Sequence, residues 1–282
     1  MTLPVSELPD LSDAYALAPE KIAAYQRDGH VCLRGVASRE EVSAYEPFIT
    51  ETLERNKKEH RKLAERDTYH KAFVQVGNLW EVSEPVRRFV FARRFARIAA
   101  ELMGVEGVRL YHDQALYKEP GGGATPWHQD QYYWPFEGDQ TITLWMPLVD
   151  APFESGSLVF APGTHRGGPL AQLAISDESA EFFTRSARDR DLSRVTHELR
   201  AGDATFHSGW TLHKAPGNAT QILRKAMTII YFADGLRIAE PANKHQPADL
   251  ARWFPGQKPG EVAASPLNPL LYHRDPERMK RG

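Results

Sequence analysis

Apolar residues recur along this chain with two different periods, and the change falls near residue 105. Before it they sit three or four apart, the spacing of a helix face. After it they alternate or form short runs bounded by Gly and Pro, the texture of strands. Pro19 to Ile22 opens a short helix, with Pro in the first turn where its missing N–H costs little, and Gly29 closes it. His30 to Leu33 reads as a short strand. Ser38 and Glu41 have the spacing of a capping box ahead of Val42, Tyr45, Ile49 and Leu53. Lys71 to Val76 reads as a strand. Ser83 then caps a second long helix, with Pro85 in its first turn. Val86, Phe89, Val90, Ile98, Ala99 and Leu102 form its buried face, and Gly104 ends it.

In the second half, Val108 to Tyr117 alternates. His112, Gln114 and Leu116 share one face; Asp113, Ala115 and Tyr117 share the other. A Pro-Gly-Gly-Gly turn leads into a strand carrying His128. Further strands are expected at Thr141 to Val149, with Thr141, Thr143 and Trp145 on one side, and at Leu158 to Phe160, Ala204 to His207, Thr211 to His213 and Ile222 to Phe232. Residues 177–193 are charged and read as an external helix. Residues 234–282 are rich in Pro, but Trp253, Phe254 and Tyr272 argue that they pack down. Helices followed by many short strands predict a mainly β fold with flanking helices, a jelly-roll-like double sheet. With no clean linker, residues 1–282 read as one domain: N-terminal helices over about 19–104, a β core over about 107–233 and a C-terminal cover over 234–282.

Composition narrows the function classes. The net charge of −2 supplies no general field for nucleic acid or an anionic membrane. The charged run at 54–67 mixes acids with bases and reads as a solvated surface. Arg87, Arg88, Arg93, Arg94 and Arg97 have no aromatic stacking platform beside them, so a solvated helix face is preferred over an RNA-binding one. No apolar run approaches the roughly 20 residues of a membrane span. The opening MTLPVSELPDLSDAY lacks the basic-then-apolar order of a signal peptide, and Cys32 is the single cysteine. A cytoplasmic setting is therefore expected.

The candidate chemistry centres on Trp127 to Phe136, WHQDQYYWPF. On an extended strand His128 and Asp130 face the same way and present an imidazole nitrogen beside a carboxylate oxygen. Two ligands do not close a site. The preferred third is His213, with His207, six residues earlier, as its rival. Two His and one carboxylate on one face of an iron ion leave positions open, as in non-haem Fe(II) oxygenases. Arg224 lies eleven residues beyond His213, after the Pro216-Gly217-Asn218 turn, where its guanidinium could grip a dicarboxylate. A structural zinc site would need a fourth ligand, and none is evident. A cupin-like dioxygenase or isomerase that does not use 2-oxoglutarate, and a non-catalytic metabolite-binding protein, are the alternatives. Arg224 argues against the first and the open metal positions against the second.

These motifs, with Gly156 to Arg166 (GSLVFAPGTHR), Gly202 to His213 (GDATFHSGWTLH) and Arg224-Lys225-Ala226, resemble the phytanoyl-CoA dioxygenase family of Fe(II)- and 2-oxoglutarate-dependent oxygenases. The likeness runs over roughly residues 22–233 and is strongest in 111–166 and 202–233. It implies a double-stranded β-helix core, Fe(II) on His128, Asp130 and His213, and a salt bridge from Arg224 to the far carboxylate of 2-oxoglutarate. It implies that His112, Gln114, Gln129 and Trp145 line the co-substrate pocket. Some members carry a serine two residues after the distal histidine, where this chain has Ala215, so one co-substrate hydrogen bond is missing from the expected set. Iron halogenases of the scaffold have Ala or Gly in place of Asp130, so the carboxylate points to oxygenation. The expected reaction is hydroxylation of a small molecule by dioxygen, with release of succinate and carbon dioxide. Strand alternation would put Tyr132 and Trp134 against the substrate. The aromatics fit an apolar body, and no cluster of bases suits a CoA diphosphate. Residues 161–200 and the C-terminal segment are expected to cover the site.

Overall fold

The computed structural model of the chain describes residues 4–170 and 192–280, the side chains of Thr68 and Tyr69 excepted. The expected helix over 177–193 thus lies, but for its last two residues, outside the described residues, as does much of the expected cover at 161–200. The described helices preceding the β core are α1 (Pro19–Asp28), α2 (Arg39–Asn56), α3 (Thr68–Ala72), α4 (Glu84–Val90) and α5 (Arg93–Met103). The strands are β1 (His30–Leu33), β2 (Val74–Gly77), β3 (Gly107–Lys118), β4 (Thr125–His128), β5 (Phe136–Glu137), β6 (Thr141–Pro147), β7 (Val159–Phe160), β8 (Val195–Thr196), β9 (Ala204–Ser208), β10 (His213–Ala215), β11 (Arg224–Ala233), β12 (Arg237–Ile238) and β13 (Leu270–His273).

Local sequence chemistry explains the first helices. Pro19 opens α1, and Gly29, at φ +75°, ends it in the left-handed conformation that a side chain would oppose. The capping box of α2 is complete: the Ser38 hydroxyl accepts from Glu41 N–H at 3.1 Å, and Glu41 accepts from Ser38 N–H at 2.7 Å. The same Glu41 carboxylate takes both arms of Arg94, at 2.7 and 2.9 Å, joining α2 to α5. Arg94 is therefore an inter-helix clasp and not part of a solvated face. Four expected elements are revised, among them the strand expected at Thr211 to His213, which begins only at His213 and runs to Ala215. The long helix at 83–104 breaks between Val90 and Arg93, and Ser83 makes no side-chain cap bond. The break lets α4 face α2 while α5 turns onto β3 and β13. The strand expected from Lys71 begins only at Val74, because Asp67 accepts from His70 N–H and caps the short α3. The strand carrying His128 stops there, and Asp130–Tyr133 coils as a 3-10 turn.

Two antiparallel sheets face each other. The larger runs β1-β9-β6-β11-β3-β13, with β2 also paired to β3; the smaller runs β4-β10-β7-β8. Alternation then assigns two faces to every strand of the large sheet. One face, with Ala115, Tyr117, Met227, Ile229, Leu144 and Phe206, packs into the main core beneath Val42, Ile49, Phe89 and Phe95 of the helices. The other face carries His112, Gln114, Thr143, Trp145, His207, Arg224 and Thr228 into a cavity of about 500 Å3 between the sheets. The faces expected for β3 are the faces observed. The C-terminal segment is packed down: β13 extends the large sheet along β3, and the helix Gln246–Trp253 closes part of the cavity.

Candidate metal centre

His128 and His213 lie in different strands yet meet because β4 and β10 pair with these two residues directly opposite. A direct cross-strand pair shares a face, and the ring centroids are 4.1 Å apart. Gln129 keeps extended torsions, φ −121° and ψ 123°, so Asp130 projects to the same side as His128 although the strand has ended. Nε2 of His128 lies 3.4 Å from Oδ1 of Asp130, and Nε2 of His213 lies 3.7 Å from that same oxygen. One ligand atom from each residue fits within 4.8 Å of the others.

The proton positions fit a metal. Nδ1 of His128 donates to the Pro126 carbonyl at 2.8 Å, and Nδ1 of His213 donates to the Thr211 carbonyl at 3.0 Å. Both lone pairs are thereby left on Nε2, aimed at the Asp130 carboxylate. Burial, and then the neighbouring His128, hold His213 well below the ordinary imidazole range, so it is neutral. Two nitrogen lone pairs and a carboxylate converging on one point repel unless a cation stands among them. This is the donor set of a divalent metal with open positions.

His207 takes a different part. It stands on β9 opposite Thr143, and its Nε2 approaches the other Asp130 oxygen, Oδ2, at 3.2 Å. The Thr143 hydroxyl donates to that oxygen at 3.2 Å as well. His207 and Thr143 thus orient the carboxylate from behind, a role the sequence does not signal for Thr143.

The cavity extends from this centre to Arg224, which is 2% exposed and stacks over Trp145 with Cζ 5.2 Å from the ring centroid. Nε of Arg224 has no hydrogen-bond partner, and the guanidinium makes no ion pair among the described residues. Burial lowers its pKa to about 9. A buried cation without an anion calls for one from outside. Its register partner Lys118 is also fully buried, donating to the Gly123 carbonyl at 2.5 Å. Burial, then Arg224, lower Lys118 to about 7. No local motif marks Lys118, because only the β3–β11 register brings it beside Arg224.

Of the residues expected around the co-substrate, His112, Gln114 and Trp145 line the cavity. Gln129 does not. Its Nε2 donates to the Trp210 and Gly168 carbonyls at 2.6 and 3.0 Å, and its Oε1 accepts from Leu170 N–H at 2.8 Å. The residue between two same-face ligands must point away from them, and Gln129 pins the loop behind the metal. Of the expected substrate contacts, Trp134 lines the cavity and Tyr132 does not, whereas Tyr133 does. The 3-10 turn replaces the alternation on which Tyr132 was placed. His245, Asp249 and Trp253 complete one end of the cavity from the C-terminal segment, where no motif marked them.

Comparison with known proteins agrees with this geometry. The family model described as phytanoyl-CoA dioxygenase (PhyH) matches residues 25–226. A protein of Stutzerimonas stutzeri named "Probable alpha-ketoglutarate-dependent hypophosphite dioxygenase" is 31% identical over 134 residues, 45% of this chain and 46% of that protein, so the chain spans about half the length of that relative. Among solved structures, the non-heme alpha ketoglutarate dependent carbocyclase SnoK from nogalamycin biosynthesis superposes with a TM-score of 0.76 at 26% identity, covering 91% of this chain and 97% of that one. The epimerase SnoN, solved in complex with Fe3+, alpha ketoglutarate and nogalamycin RO, gives 0.72 at 29% identity, over 90% and 98%. No helix among the described residues is long and apolar enough to cross a membrane.

Proposed function

The chain belongs to the phytanoyl-CoA dioxygenase family, with the jelly-roll fold and His-Asp-His group of an iron- and 2-oxoglutarate-dependent oxygenase, and from that premise we propose that it hydroxylates an unactivated C–H bond of a small cytoplasmic metabolite. The observation that carries this reading is a pairing within one cavity. Three ligand atoms, two on imidazoles anchored through Nδ1, converge on its wall, and a buried guanidinium with no anion among the described residues lines the same cavity.

In this reading His128, Asp130 and His213 would hold Fe(II), and Arg224 would receive the far carboxylate of 2-oxoglutarate. When bound, the metal and co-substrate supply the oxidising chemistry with dioxygen, releasing succinate and carbon dioxide. The chain's own residues prepare that site. His207 and Thr143 fix the Asp130 carboxylate so that one oxygen faces the imidazoles. Trp145 supports the Arg224 guanidinium, which lies over its ring. Gln114 and Thr228, directly opposite in register, line the path between Arg224 and the metal ligands. Leu116, Leu158 and Ile230 keep the walls apolar and limit water. Trp134, with Tyr133 in the place expected for Tyr132, bounds the substrate side.

The test is succinate release from a metabolite panel. Protein purified without oxygen and loaded with Fe(II) should form succinate in a substrate-dependent manner when 2-oxoglutarate and dioxygen are added. Failure to bind 2-oxoglutarate in the metal-loaded state would reject the assignment.

A further inference from the structure

The cavity has a second charged end. Asp249, on the helix Gln246–Trp253, is half-buried and lines the cavity. Its Oδ2 accepts the Tyr111 hydroxyl at 2.5 Å, and the Trp253 indole N–H supports the same carboxylate. Apart from the metal-facing Asp130, it is the one carboxylate on the cavity wall among the described residues. Tyr111 and Trp253 are both neutral donors. They orient a carboxylate without neutralising it.

Among the described residues, nothing nearby supplies the missing positive charge. His112 stacks on Trp253 at 4.5 Å between centroids, but burial lowers it to about 3, so it is neutral. His245, one turn earlier on the wall, is also lowered, by burial and then by Lys244. Arg252 is engaged elsewhere, 2.9 Å from Glu81 and stacked over Trp253. Asp249 makes no ion pair among the described residues. A carboxylate held at a cavity wall by neutral donors favours a cation from solution.

Its distance from Arg224 decides which ligand it meets. Arg224 is registered against Lys118, whereas Asp249 touches Tyr111, seven residues away on the same strand. At about 3.3 Å per residue the strand positions that the two groups approach are roughly 20 Å apart, well beyond the span of one five-carbon diacid. Tyr133 and Trp134 provide apolar walls near Asp249. We infer that Asp249 is the anchoring point for a positively charged nitrogen on the substrate, a protonated amine whose carbon skeleton reaches back toward the metal ligands. The inference deepens the proposed function and rests on its reading of the cavity as the reaction chamber.

The test uses amine and alcohol pairs that differ in charge but little in shape: butylamine and butanol, 2-phenylethylamine and 2-phenylethanol, tryptamine and tryptophol. Each is titrated calorimetrically into full-length protein loaded with Mn(II) and 2-oxoglutarate at pH 7.5. The amine of at least one pair should bind tenfold or more tightly than its alcohol. In Asp249→Asn, which keeps an oxygen for Tyr111, that preference should fall below threefold. Asp249→Ala replaces it if the asparagine variant does not fold. Equal binding in all pairs, no binding by any amine, or a preference that survives removal of the carboxylate would overturn the inference. Titrating 2-oxoglutarate into the Mn(II)-loaded wild type separates the two readings. If it binds and the amines show no preference, only the amine anchor falls; if it does not bind, the parent reading falls.

Discussion

Replacing Arg224 by methionine should make the empty protein more stable and the co-substrate complex weaker. The first effect follows from burial. The guanidinium is 2% exposed, has no anion among the described residues, and is lowered to about 9 by desolvation. A buried base with a lowered pKa burdens the fold while it is charged. The burden is fully present below about pH 9 and is shed as pH rises from there toward the ordinary guanidinium range. Lost hydration of this size sets a ceiling of about 5 kcal/mol. Losing the stack over Trp145 takes back about 1 kcal/mol, and relaxation of the site takes back more. A net gain on the order of 2 kcal/mol remains, or roughly 4–8 °C in the melting temperature of a chain this long. The second effect has the opposite sign. A two-pronged guanidinium–carboxylate pair in a buried site is worth about 3 kcal/mol or more, which is on the order of 100-fold in affinity. Titration calorimetry of 2-oxoglutarate into Mn(II)-loaded protein reads the affinity, and a thermal melt of metal-free protein at pH 7.5 reads the stability. Arg224→Lys, which keeps the charge but loses the planar fork, should fall between the two in affinity. A methionine variant that melts lower and binds 2-oxoglutarate within threefold of wild type would refute the placement of the co-substrate on Arg224.

His213→Ala should abolish Mn(II) binding, whereas His207→Ala, which removes only a support of Asp130, should weaken it about 10–100-fold; metal titration showing the reverse order would transfer the ligand role to His207. Asp113, fully buried and accepting from Leu79 N–H at 3.0 Å, is pushed up to about 7 by burial. Its folded form therefore holds a proton that the unfolded chain releases near pH 4, and wild-type stability should fall as pH rises from about 4 to 7, by at most roughly 4 kcal/mol. Asp113→Asn should flatten that part of a urea-denaturation profile, and parallel profiles would show that Asp113 does not titrate in this range. Gly202, at φ +90°, would place a Cβ 2.1 Å from the Ala37 carbonyl oxygen. Gly202→Ala should cost about 3 kcal/mol or more through strain and clash, and an unchanged melting temperature would contradict that packing.

Much of the site was legible before folding was considered. Alternation along β3 placed His112 and Gln114 together because a strand turns successive side chains to opposite faces whatever surrounds it. The His128–Asp130 spacing worked because Gln129 kept extended torsions, and it worked only that far. One residue later the backbone coils, so the same alternation carried on to Tyr132 names a residue off the cavity wall, where Tyr133 stands instead. The pattern also implied that the residue between two inward ligands points outward, yet the family likeness assigned Gln129 to the pocket. Its bonds to Gly168, Leu170 and Trp210 follow the backbone geometry. The long helix expected across 83–104 shows the same limit: its apolar spacing was correct, but packing against two different partners broke it.

Local torsion and spacing determined the elements, the inward face of each strand and the short-range ligand pair, since these depend on residues only a few bonds apart. The folded chain decided which histidine completes that pair, that Lys118 stands beside Arg224, and that Asp249 closes the far end. Those choices depend on sheet register and on a C-terminal helix docking against Tyr111, 138 positions earlier in the chain. Side chains so far apart along the chain carry no local signature of meeting. They are brought together only when closing the two sheets buries enough apolar surface to hold polar groups in place between them.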